Sequence, residues 1–163
     1  MYLLFQQKVY DEAEALLLEL APGTDKLIKA PEPVTFKALG NSGVISQLVT
    51  VYRAQGKNQL ADQLASRLKL IDQEDLVENA FNFEVQNDLV LAEVKAAQQH
   101  YDQAMNYLQS AIDKGFLLNW RVLIAYNPVF TALHKDPRYI ALINQLETEA
   151  LRQKALQQVV DQR

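Results

Sequence analysis

The sequence contains no cysteine and only two histidines, His100 and His134, so thiolate chemistry is excluded and imidazole chemistry would rest on two isolated rings. Neither histidine has a second one at metal-ligand spacing, and no Ser-His-Asp set is specified. Both read as surface or interface residues. Adjacent carboxylates such as Glu74 and Asp75 would need a dry pocket to carry a working proton, and nothing nearby in the sequence supplies one. The stretch Gly40-Asn41-Ser42-Gly43 lacks the lysine and the spacing of a phosphate-cradling loop. It reads instead as a turn, with Ser42 as a helix N-cap. The chain itself is therefore expected to catalyse nothing and to hold neither metal nor cofactor.

Composition narrows the partners. At 163 residues and 49% hydrophobic content, the chain is long enough to bury a continuous core. Its net charge is −4 and its 16 basic residues are scattered, whereas phosphate binding needs clustered Lys and Arg, so no nucleic acid is expected. The acidic residues Asp72, Glu74, Asp75, Glu78, Glu84, Asp88 and Glu93 lie between Lys69 and Lys95 with no base among them. They read as a solvated helix face, with docking of a basic partner as the alternative. No apolar run approaches the ~18 residues of a membrane span, and Met1 to Phe5 is too short for a signal peptide.

The elements that must position any site are helices. Gly and Pro number five each, and apolar residues recur at three- and four-residue spacing over 44–55, 58–71, 74–84, 87–98 and 101–114. Residues 21–43 gather Pro22, Pro31 and Pro33 with Gly23, Gly40 and Gly43, which predicts one long irregular connection. Asn127-Pro128 and Asp136-Pro137 each place a capping side chain before a proline at the first helical position. Helices are expected to start at Pro128 and at Pro137, the second running to about 160 with Ile140, Ile143, Leu146 and Ala150 inward.

The spacing also repeats. Ile45, Leu48, Val49 and Tyr52, then Gly56, then Ala61, Ala65 and Leu68 form a helix, a turn and a second helix with a small residue where the pair would cross. Leu91 and Ala92 followed by Tyr101, Ala104, Leu108 and Ala111 form a second such unit, although Asp88 and Lys95 stand where large apolar residues belong. Met1 and Leu4 followed by Tyr10, Ala13, Leu17 and Leu20 form a third unit lacking half its first helix. Small residues at Ala13, Ala61 and Ala104 are required because closely crossing helices leave no room for larger ones. These residues make the chain resemble a divergent tetratricopeptide repeat domain, with marker alanines further apart than the ~34 residues of a strict array.

The tail, from Ala111-Ile112-Asp113-Lys114-Gly115-Phe116 through Trp120 and Asn127-Pro128-Val129-Phe130 to Asp136-Pro137-Arg138-Tyr139-Ile140, is similar to the C-terminal repeat region of bacterial signalling proteins. In those proteins such repeats follow a class III adenylate or guanylate cyclase, a kinase or a winged-helix transcription activator. The resemblance implies an all-α, right-handed solenoid of antiparallel helix pairs. Its divisions would be a partial repeat at 1–20, the connection at 21–43, repeats at 44–71 and 72–114, and a C-terminal cap at 115–163. It implies a regulatory module for protein or peptide binding, cytoplasmic, or periplasmic within a membrane-anchored regulator.

The resemblance places a bound peptide on the concave face of the first helices, which selects Ser46, Thr50, Arg53, Leu89 and Glu93, with Arg53 clamping a carboxylate or carbonyl, and an ordinary solvated face is the alternative. Aromatics concentrate between residues 80 and 140, namely Phe81, Phe83, Tyr101, Tyr107, Phe116, Trp120, Tyr126, Phe130 and Tyr139. They read as core, with a small-ligand pocket as the alternative. Because the first unit begins in mid-helix with Tyr2, Leu3, Leu4 and Phe5 uncovered, the chain is expected to be the C-terminal piece of a longer protein. It should fray or self-associate at its N-terminal end.

Overall fold

The computed structural model describes residues 2–29, 42–68, 84–116 and 119–161. The helix expected over 74–84, the pair Glu74 and Asp75, the aromatics Phe81 and Phe83, Gly40-Asn41 and the prolines Pro31 and Pro33 lie outside the described residues, apart from the helical Glu84. All regular structure among the described residues is helical. The α-helices are α1 (Tyr2–Gln6), α2 (Tyr10–Leu20), α3 (Thr24–Lys29), α4 (Ser42–Ala54), α5 (Asn58–Arg67), α6 (Glu84–Ala97), α7 (Tyr101–Asp113) and α8 (Pro137–Asp161). A π-helical turn (Arg121–Ala125) and a 3-10 helix (Pro128–Leu133) stand between α7 and α8.

Among the described residues one turn geometry leads three times into a second helix with a buried alanine, and the same closure occurs once more at Gly115, where Trp120 stands at the alanine's offset. Lys8, Gly56 and Gln99 each adopt left-handed backbone, with φ of 59°, 76° and 64°. Around each, two reverse hydrogen bonds close the preceding helix: Lys8 N to Phe5 O and Val9 N to Leu4 O, Gly56 N to Arg53 O and Lys57 N to Tyr52 O, Gln99 N to Ala96 O and His100 N to Lys95 O. This is the Schellman closure, which satisfies helix-end carbonyls that have no partner within the helix. The next helix then starts after Val9, Lys57 and His100, whose backbone angles are nearly the same at all three. At the same offset beyond each turn come Ala13, Ala61 and Ala104, all fully buried. Gly56 fits such a turn without strain, while Lys8 and Gln99 occupy a region that disfavours side chains with a Cβ.

Within each unit the two helices pack together: α1 on α2, α4 on α5, α6 on α7. Between units, α4 packs on both α2 and α6, and the 3-10 helix packs on both α4 and α6. One continuous core results, with Ala13 and Leu17 at one end, Ile45, Leu48, Tyr52, Leu64, Ala92 and Leu108 in the middle, and Phe130, Leu142 and Leu146 at the other. The neighbouring units are tied by polar contacts. Gln55 donates to Asp11 Oδ1 and Glu14 Oε2 at 2.9 and 2.8 Å, and Lys57 reaches Glu14 at 2.6 Å. Arg138 reaches Asp102 of α7 at 2.8 Å.

Several expectations are corrected. Residues 24–29 within the connection are helical, as are Ser42 and Gly43. The helix starting at Pro128 is a 3-10 helix, and its predecessor over 121–125 was not foreseen. In α8 the inward stripe is Tyr139, Leu142 and Leu146, with Ile143 and Ala150 half-buried and Ile140 48% exposed. The helix is rotated because Tyr139 has more to gain from the interior: its ring lies 6.4 Å from that of Phe130, and its hydroxyl donates to Ile124 O at 3.0 Å. At the N-terminal end α1 has no fully buried residue and Leu3 is 69% exposed, while the Tyr2 ring stacks on Tyr126 at 4.6 Å.

Candidate functional site

Of the five residues expected to face a partner, three are interior. Ser46 is wholly buried, and Leu89 and Glu93 are buried on α6. Only Thr50 and Arg53 keep partial exposure. Thr50 Oγ1 donates to Ser46 O at 3.1 Å within α4. The Arg53 guanidinium, expected to clamp a partner, donates to Ala97 O at the end of α6 and approaches Asp62 at 3.4 Å. Ser46 Oγ has no hydrogen-bond partner among the described residues.

Glu93 lies where the chain's own C-terminal segment meets α6, and the 3-10 helix of that segment packs on both α4 and α6. This cover is fastened at Glu93 and Asn127. Asn127 Nδ2 donates to Glu93 Oε1 at 2.7 Å and to Leu123 O at 3.2 Å, and its Oδ1 accepts from Val129 N at 3.1 Å as an N-cap. Asn127 therefore closes one turn, starts the next and binds α6 with a single amide. Burial away from water pushes the Glu93 carboxyl up to about 7, and the Asn127 hydrogen bond offsets only part of that rise. The amide can neither take up nor release a proton near neutral pH, so the pair joins two elements and has no second group with which to exchange a proton.

The acidic run is likewise not uniformly a solvated face. Asp88 is buried, and its Oδ2 accepts from Ser110 Oγ at 2.7 Å and from Lys114 Nζ at 2.8 Å. The buried carboxylate is thereby satisfied by two donors, one from α7 and one from the residue that caps its C-terminal end. His100 is exposed in the turn before α7. His134 is half-buried and stacked on Tyr139 at 5.4 Å, and burial holds its pKa below the ordinary value. Among the described residues, no group of three or more His, Asp or Glu is placed to hold a metal ion.

The structural residues singled out in the sequence occupy the body: Tyr52, Trp120 and Pro128 are buried, Tyr101 is half-buried, and Pro137 opens α8 at the surface. Phe116, Phe130 and Tyr139 are buried in the core, Tyr107 packs against it, and Tyr126 is exposed. Two open cavities, of about 560 and 590 Å³, lie between α7 and α8 beside Ile112 and Glu149 and beside the first turn at Lys8 and Lys57. None of the aromatics between 80 and 140 lines either. Sequence reasoning marked Asn127 as a helix cap but not as the partner of Glu93, and it missed Asp88 as a buried anchor. Both pairings join residues far apart in the chain and leave no local signal. Comparison with known proteins finds no matching family model, no matching curated protein and no matching solved structure.

Proposed function

We propose that this chain is a protein-interaction module of the tetratricopeptide kind. It would be a short α-solenoid of helix pairs closed by a C-terminal capping helix, regulatory in role, from the C-terminal part of a bacterial signalling protein such as a nucleotide cyclase or a transcription regulator. The observation that supports this reading is the threefold recurrence of one turn geometry at Lys8, Gly56 and Gln99, each followed at the same offset by a fully buried alanine. Stacked units of this kind present first helices side by side, a surface suited to an extended or helical peptide.

The test begins with the full chain used to capture partners, which are identified, purified and titrated back by calorimetry. A saturable complex with a purified protein is expected. Its absence, together with stabilisation by a small metabolite in a thermal-shift screen, would replace the interaction role with ligand sensing. A ligand at a hundred times its Kd would raise stability by about 2.7 kcal/mol.

A further inference from the structure

The face formed by α4 and α6 already holds an occupant. The 3-10 helix packs on both helices, Val129, Phe130 and Leu133 are buried, and Asn127 is hydrogen-bonded to Glu93. The opposite side of the same segment is largely open, with Val122 64% exposed and Leu123 also exposed, while Tyr126 is exposed but stacked on the Tyr2 ring. The segment is thus a single layer buried on one side. Two polar anchors fix it: the Asn127 amide on Glu93, and the Tyr139 hydroxyl on Ile124 O. Its backbone is irregular throughout, entering after left-handed Asn119 (φ 53°) and passing from a π-helical turn to a 3-10 helix.

Resting on the interaction role proposed above, we infer that Asn127–Leu133 is a built-in peptide ligand that holds the α4/α6 face closed. The partner taken by this face in trans is then a peptide of the same chemistry. It carries a side-chain amide for Glu93, followed by one short helical turn that presents an aromatic and a leucine side chain three residues apart on one edge, with an aliphatic residue just before the aromatic. A tethered ligand competes at an effective concentration in the millimolar range, and an incoming peptide binds with its intrinsic affinity reduced by the fraction of open molecules. Weakening the tethered segment must therefore strengthen binding of the free peptide, the opposite of what a purely structural segment would do.

The experiment uses a fluorescein-labelled synthetic peptide spanning residues 124–136, titrated by anisotropy into the full chain and into its Asn127→Ala and Tyr139→Phe variants. Amide exchange at 129–133 is followed in parallel. Both variants are expected to lose protection there and to bind the peptide at least ~10-fold more tightly than the unaltered chain. Tyr139→Phe removes only a hydroxyl, so it carries the test if Asn127→Ala fails to fold. Equal affinity for all three proteins overturns the inference. So does equally tight binding of a peptide whose asparagine and phenylalanine are replaced by alanine. Either result leaves the interaction role untouched, because that role is judged by calorimetry with a purified protein partner.

Discussion

Replacing Glu93 with glutamine should stabilise the protein at neutral and alkaline pH but not at acid pH. Burial raises this carboxyl from an ordinary 4.5 to about 7 in the folded chain, so between those values the native state holds a proton that the unfolded state has released. Stability then falls as pH rises, by about 1.4 kcal/mol per pH unit, levels off above the native value and is fully retained below the unfolded one. Integrated from 4.5 to about 7, the loss is on the order of 3 kcal/mol, an upper figure for a fully buried group. Asp136 and Glu149 act in the opposite sense: pairing with Arg138 and Arg152 lowers their pKa values, so their contribution is lost only when pH falls through the acid range. Comparing variant with parent at each pH cancels both. The neutral glutamine keeps an oxygen for Asn127 Nδ2 and has no charge to desolvate. Urea midpoints of Glu93→Gln and parent should coincide near pH 4.5 and diverge to about 3 kcal/mol in favour of the variant near pH 8. A difference that stays flat with pH, or a variant less stable near pH 8, would mean that Glu93 is ionised and compensated by a charge, and the reasoning would be wrong.

Other consequences are sharp enough to measure. Ala61→Leu and Ala104→Leu should each destabilise by about 1–3 kcal/mol, since both alanines are fully buried and an added isobutyl group overpacks the site; unchanged urea midpoints would remove the basis for a helix crossing there. Arg53→Glu should cost about 1–3 kcal/mol, because Ala97 O loses its donor and a second carboxylate faces Asp62; stability equal to the parent would show that the bridge between α4 and α6 contributes nothing. Gln99→Gly should stabilise by about 0.5–1 kcal/mol by relieving the left-handed backbone, and a loss of stability on thermal melting would contradict a common turn geometry. Trp120→Ala should cost about 3–5 kcal/mol, as the ring is buried beneath the Arg121 guanidinium at 4.5 Å, with calorimetric unfolding as the check.

What the sequence made legible was local. Gly56 and the spacing from Tyr52 to Ala61 encode a turn and a crossing, because helix closure and close contact each demand one residue type at one position. The same geometry at Lys8 and Gln99 was harder to read, since neither residue advertises a positive φ. The partner-facing residues were misread for a different reason. Helical periodicity places Leu89 and Glu93 on a common side of their helix, but it does not show what packs there, and at Glu93 the hydrogen-bond partner lies more than thirty residues later. Glu93 has an ordinary surface identity, and its burial is met by one amide from Asn127. Tyr139 and Ile140 were both expected inward, and of the two only Tyr139 is buried. The hydroxyl partner at Ile124 O, which decides the rotation of α8, is invisible until the two segments meet.

The irregular backbone of the C-terminal cover has a cause in its side chains. Ile124, Asn127, Phe130 and Leu133 are all buried, and they recur every third residue. An α-helix turns by 3.6 residues, so such a stripe would drift around its surface and leave the groove within two turns. A 3-10 helix has three residues per turn and places residues i and i+3 in line, which keeps Phe130 and Leu133 on the α4/α6 face throughout. Proline at 128 fits the first position, where its missing N–H has no acceptor to lose, and it holds Asn127 in extended backbone (φ −73°, ψ 119°). The extended residue separates the π-helical turn from the 3-10 helix, and Ile124 and Phe130 are both fully buried on either side of the break. Asn127 can then point inward between them and reach Glu93. A period of three running through Asn127-Pro128 is thus a sequence feature that points to the cover, and it is incompatible with the regular α-helix that the Asn-Pro cap alone suggests.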